Sequence, residues 1–143
     1  MKGETVADRI VAAARDLVGV PFRLHGRSAE QGVDCVGLAA MALGRAGHCG
    51  QAPRGYGLRS GDEARARGWL GEAGLRPVEA PRPGDLALVR PGPLQLHLMI
   101  VAQGGHVHAH AGLGRVVEMP GPSPWPVIGH WRTEEEETWQ HSC

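Results

Sequence analysis

The chain has 143 residues, 22 of them Gly and 11 Pro, and a formal net charge of zero with its eight histidines neutral. That length suits one domain that buries roughly two-thirds of its unfolded surface, and a balanced charge with no basic stripe gives nucleic-acid binding no electrostatic support. Three cysteines at no repeated spacing fit neither a disulfide framework nor a four-thiolate zinc site, and no apolar run reaches the roughly 18 residues of a membrane span.

Aromatic residues are scarce, so the core has to be built from Val, Leu, Ile and Ala. Val6, Ile10, Ala13, Ala14, Leu17 and Val18 recur at helical spacing behind Thr5, a capping residue, and Gly19 and Pro21 stop that helix. Charges at Asp8, Arg9, Arg15 and Asp16 make this stretch an amphipathic helix and not a signal peptide. The expectation is a protein made in the cytoplasm with its thiols reduced. A polar loop, PFRLHGRSAEQGVD, leads to a compact helical stretch at 35–45, CVGLAAMALGR, whose Gly37, Ala39 and Ala40 allow close packing. A second, more exposed helical piece runs from Gly61 toward Gly74.

After APRPGD the period changes. LALVR (86–90), LQLHLMIVA (94–102), HVHAHA (106–111) and RVVEM (115–119) are short β-type segments separated by Gly or Pro turns, the pattern of an antiparallel meander. WPVIGHWR (125–132) supplies a fifth strand. Helices first and strands second predict an α+β domain over 1–132 with one antiparallel sheet of about five strands. The acidic run TEEEETWQHSC at 133–143 reads as a solvated, poorly ordered tail.

Of the three cysteines, Cys35 alone stands at a helix start, where unpaired N–H groups and the helix dipole favour a thiolate. Cys49 falls in a turn and Cys143 ends the acidic tail. Taken alone, Cys35 is better accounted for as a buried free Cys used only for packing. Thiolate nucleophiles work with a histidine that takes and returns the proton and a third polar group that orients the ring. His97 interrupts an apolar strand and shares a face with Met99 and Val101; His106, His108 and His110 share one face of the next strand, joined to the first by the short QGG connection. Hairpin pairing then sets one of the three beside His97. Two other readings of these histidines remain open at this point: satisfied or solvated sheet residues, and a zinc site of three or four imidazoles.

In order and spacing, DCVGL (34–38), RPGDLALV (82–89), HLMIV (97–101) and VHAHAG (107–112) resemble the NlpC-type cell-wall cysteine peptidases. The similarity runs from the first helix to about Arg132, and the short form resembles the branch encoded with phage tails and gene-transfer agents. The resemblance implies a reduced papain-like fold, with Cys35 as nucleophile, His97 as general base and His108 as third residue, His110 replacing it if the strand register slips by two. It implies no cofactor and no metal. The implied substrate is the peptidoglycan stem peptide, cut between D-γ-glutamate and diaminopimelate in the periplasm or cell wall, with tail-tip or hub proteins as partners for delivery. Asp34, Phe22 and Arg23 are the implied substrate-binding residues, and Arg27 lies in the same loop. Two positions depart from the family pattern: Phe22 stands where many members carry a tyrosine hydroxyl, and Val36 where Ser is usual. An amidase or acyltransferase on another amide, and a decayed structural component of a tail tip, are the alternatives.

Overall fold

A computed structural model describes residues 4–48 and 61–133. The chain order is α1 (Val6–Asp16), β1 (Arg27–Ser28), β2 (Gly32–Val33), α2 (Cys35–Arg45), α3 (Glu63–Glu72), β3 (Leu75–Val78), β4 (Leu86–Gly92), β5 (Gln95–Ala102), β6 (Gly105–His110), β7 (Arg115–Pro120) and β8 (Val127–Thr133). Each helix starts on a side-chain cap. Thr5 and Asp8 form a reciprocal capping box on α1, Asp34 caps α2 and Asp62 caps α3, which satisfies N–H groups that the helices themselves leave unpaired.

The expected α+β architecture is present, with one strand more than expected in the sheet. Its order is β3-β8-β4-β5-β6-β7, with every neighbouring pair antiparallel. The β4–β7 run is the meander seen in the sequence. The chain then returns so that β8 lies against β4, and β3, the extra strand, pairs with β8 at the edge. β1 and β2 form a separate two-stranded ribbon ahead of α2.

Alternation along the strands divides the side chains between two cores. Leu86, Leu88, Leu96, Leu98, Ile100, Val107 and Val116 pack with Ile10, Leu17, Val36 and Leu38 of the first two helices. Ala87, Val89 and Met99 face the other way, under Val101, Met119 and Trp125. Apolar area removed from water at about 25 cal/mol per Å² drives both layers.

The PGD turn is held from within. Asp85 is 2 % exposed and accepts from the Arg82 backbone N–H at 2.7 Å and from Arg132 Nε and Nη2 at 2.8 and 2.9 Å, which ties the start of β4 to the end of β8. Thr133, expected to begin the tail, is instead buried as the last residue of β8; the rest of that tail, 134–143, lies outside the described residues, as do Cys49 and Cys143.

Candidate active site

Cys35 is the first residue of α2. Asp34, 5 % exposed, fixes this helix start: its Oδ1 accepts from the Gly37 N–H at 2.8 Å and from Arg27 Nη1 at 3.3 Å, and its Oδ2 accepts from the His25 N–H at 2.7 Å. The preceding loop is drawn so close that a Cβ on Gly37 would collide with the Gly26 carbonyl. His25 is held with φ at 65°, a left-handed conformation uncommon for residues other than glycine.

The helix carries the thiol to a seam in the sheet. β5 and β6 are paired only at Ile100↔Val107, Val101↔His106 and Ala102↔Gly105. Beyond Ile100 the two strands part, and β6 continues alone with β7. Opposed residues in the paired part sum to 207, so an unbroken ladder would set His110 opposite His97. Because the ladder opens, His97 Nε2 meets His108 Nδ1 instead, at 3.0 Å. The Leu98 backbone N–H, left without a strand partner on that side, is directed at the Cys35 sulfur, as are the N–H groups of Cys35 and Val36.

A cleft of about 300 Å³ opens over this seam, lined by Cys35, His97, His108, Phe22, Asp34 and Trp125 among others. The structure thus brings together the cysteine and the two histidines singled out in the sequence. His110 also borders the cleft, but its Nδ1 accepts from the Leu113 N–H at 3.0 Å and its ring lies tilted on His108 at 5.4 Å, not on His97. Among the described residues no group of three or more His, Cys, Asp or Glu side chains is arranged to hold a metal ion. His97 and His108 spend their facing nitrogens on each other.

Electrostatics depart from the expected thiolate. Burial pushes the Cys35 thiol up to about 12, and the Asp34 carboxylate adds to this; the N–H groups of Leu98, Val36 and Cys35 itself act in the opposite sense without reversing it. A helix N-terminus contributes a partial charge, whereas desolvation acts on the whole charge of the thiolate. Burial also lowers His97 to about 3 and His108 to about 4, helped by their mutual repulsion with the neighbouring histidines. Each of these shifts favours the uncharged form of its group.

The substrate-binding candidates fare differently. Phe22 and Asp34 line the cleft, although both Asp34 oxygens are engaged by the protein. Arg23 is exposed and does not border the cleft, because its backbone pairs with Val33 and turns the side chain out. Arg27 is directed back to Asp34 and to the Gly26 carbonyl. The sequence reading missed Trp125, whose indole touches both imidazoles. Its signal was local: a tryptophan between two prolines, which a strand reading does not explain.

No family model and no curated protein matches the sequence. Solved structures do match the fold. NlpC1 from Trichomonas vaginalis superposes with a TM-score of 0.70 at 19% identity, over 93% of this chain and 47% of that one. The peptidoglycan hydrolase RipB from Mycobacterium tuberculosis superposes with a TM-score of 0.63 at 26% identity, over 91% of this chain and 65% of that one. The P60 domain of an antigen from M. avium subspecies paratuberculosis gives 0.59 at 23% identity, over 90% of this chain and 93% of that one. The chain spans about half the length of NlpC1 and of its companion NlpC2 from the same organism.

Proposed function

Taking as premise the NlpC/p60 fold that this chain has, we propose that it is a cysteine peptidase that hydrolyses peptidoglycan stem peptides, at the D-γ-glutamyl–diaminopimelate bond. The observation that carries the reading is the meeting, in one cleft, of a cysteine at a helix start with a hydrogen-bonded pair of histidines.

The chemistry starts from the neutral pair. As Cys35 Sγ attacks the scissile carbonyl carbon, its proton passes to His97, and the carbonyl oxygen becomes an oxyanion. The N–H groups of Cys35 and Val36, which the Asp34 cap on the Gly37 N–H does not engage, are the donors suited to that charge. Phe22 has no hydroxyl to add, so stabilisation rests on the backbone. Collapse of the tetrahedral intermediate breaks the C–N bond, His97 hands its proton to the leaving amine, and a thioester remains on Cys35. Water, deprotonated by His97, attacks the thioester and returns the thiol. His108 holds His97 through the 3.0 Å contact and fixes which nitrogen of that ring faces the reaction. Asp34 acts here as the residue that positions the nucleophile's helix. Delivery to the wall as part of a phage-like tail or gene-transfer particle completes the proposal and rests on the motif resemblance.

A second reading, a structural component without activity, is favoured by one specific observation: a half-buried thiol that desolvation pushes up to about 12, in a cleft that a phenylalanine also lines. Digestion of purified muropeptides by the wild type and by Cys35→Ala, with products read by mass spectrometry, separates the two. A stem-peptide cut that vanishes in the variant supports the hydrolase. Intact muropeptides after incubation with the wild type support the structural component.

A further inference from the structure

Trp125 lies on the connection from β7 to β8, over the sheet face opposite α1 and α2, where it covers Ala87, Val89 and Met99. Its indole meets His97 with centroids 5.7 Å apart and planes at 85°, and meets His108 at 5.6 Å and 87°. The two imidazoles meet each other at 5.1 Å and 81°. Three rings in mutual contact, each nearly perpendicular to the other two, form a corner in which none can rotate about its Cβ–Cγ bond without striking a neighbour. Edge-to-face contacts of this kind are themselves favourable.

The segment that carries the indole is fixed through its backbone. Ser123 Oγ accepts from the Trp125 backbone N–H at 3.1 Å and donates to the Trp125 backbone carbonyl at 2.8 Å. Pro124 and Pro126 restrict the backbone on both sides. At the far end of the connection the Gly121 N–H donates to the Gly104 carbonyl at 2.7 Å. Meanwhile His108 is 1 % exposed and its Nε2 is buried with no hydrogen-bond partner among the described residues, so among them the ring's hydrogen bond is the one to His97.

We propose that Trp125 is a positioning residue for the His97–His108 pair: it sets the relative orientation of the two rings and keeps water from the hydrogen bond between them. Its consequence for catalysis rests on the peptidase reading; the ring geometry does not. An imidazole that loses this cover becomes hydrated, so its protonated form is no longer penalised and its titration moves up toward the ordinary value near 6.5.

The test is long-range ¹H–¹⁵N spectroscopy of the imidazoles in the full chain, comparing wild type, Trp125→Phe and Trp125→Leu, with muropeptide turnover measured in parallel. His97→Gln and His108→Gln assign the signals. In the wild type each ring stays neutral and in one tautomer from pH 7 to pH 5. In Trp125→Leu the tautomers mix, the titration midpoints rise by about one unit or more, and kcat falls by about tenfold or more. Trp125→Phe, which keeps an aromatic edge and face at the corner, recovers most of both. Midpoints, tautomers and kcat unchanged in Trp125→Leu would overturn the proposal and leave the indole as packing for the smaller core. Should Trp125→Leu fail to fold, Trp125→Met takes its place, with the same expected result and the same overturning one. A wild type without turnover would remove the peptidase reading while the ring spectra still decide the role of Trp125.

Discussion

Replacing Asp34 by Ala removes the acceptor that joins the loop 23–33 to the start of α2. Two strong bonds disappear, from the Gly37 N–H at 2.8 Å and from the His25 N–H at 2.7 Å. Loss of an N-cap costs about 1 kcal/mol, and loss of a hydrogen bond to a charged, buried acceptor costs about 1.5 kcal/mol. The Arg27 contact at 3.3 Å adds little, since the guanidinium is a third exposed. The sum is a destabilisation of about 2–3 kcal/mol, which lowers the urea midpoint by about 1 M at a typical slope of about 2 kcal/mol per M. Asp34→Asn keeps one acceptor oxygen and should lose about half as much. Equilibrium urea unfolding at pH 7, followed by tryptophan fluorescence with the slope checked for constancy, measures both. A loss below about 0.5 kcal/mol in Asp34→Ala would refute the claim that this carboxylate holds the nucleophile's helix. Full stability in Asp34→Asn with a large fall in kcat/KM would point instead to direct contact with substrate.

Other outcomes follow from the same structure. His97 and His108 are lowered to about 3 and about 4 by burial, below the 6.5 of an unfolded histidine, so the unfolded chain binds more protons in between. Stability is therefore fully present above about pH 6.5 and falls as the pH drops toward 4, by up to about 1.4 kcal/mol per unit and per ring; urea midpoints at pH 7, 5.5 and 4.5 should show a fall that flattens in His97→Gln, and an unchanged slope in that variant would contradict it. Native Cys35 should react with iodoacetamide at a rate that still climbs above pH 9, because burial keeps the thiol protonated; a plateau reached by pH 7 would mean that a thiolate–imidazolium pair is already formed. Arg132→Met breaks the buried pair with Asp85 and should cost about 3 kcal/mol, read as a lower urea midpoint; Asp85→Asn in the same background should recover part of it.

The parts of this fold that depend on neighbours in sequence were legible, and the parts that depend on distant partners were not. Val6, Ile10, Ala13, Ala14 and Leu17 announce α1 by their spacing, and all five are buried. Asp34 before an apolar run marks the start of α2. By contrast β3 is four residues, LRPV, with Pro77 and an exposed Arg76; nothing in it alternates, and it becomes a strand only because β8 returns to pair with it. That return also explains why a plain meander did not describe the sheet. At the candidate site, period 2 was enough to put His97 beside the histidines of β6. It was not enough to choose among them, since an unbroken register favours His110 and the choice of His108 comes from the parting of β5 and β6. The thiol's surroundings were legible only in part for a related reason: a helix start is visible in sequence, while the desolvation that pushes the thiol up belongs to the assembled sheet.

The central claim is that Cys35 and His97 act as one chemical unit, and a double-mutant cycle on muropeptide hydrolysis tests it most directly. kcat/KM is to be measured for the wild type, Cys35→Ala, His97→Ala and the double variant. The account predicts that either single change abolishes nearly all turnover and that the double variant is no worse than the singles, as expected of residues that share one step. Losses that multiply, or a Cys35→Ala protein that still cuts the stem peptide, would contradict it.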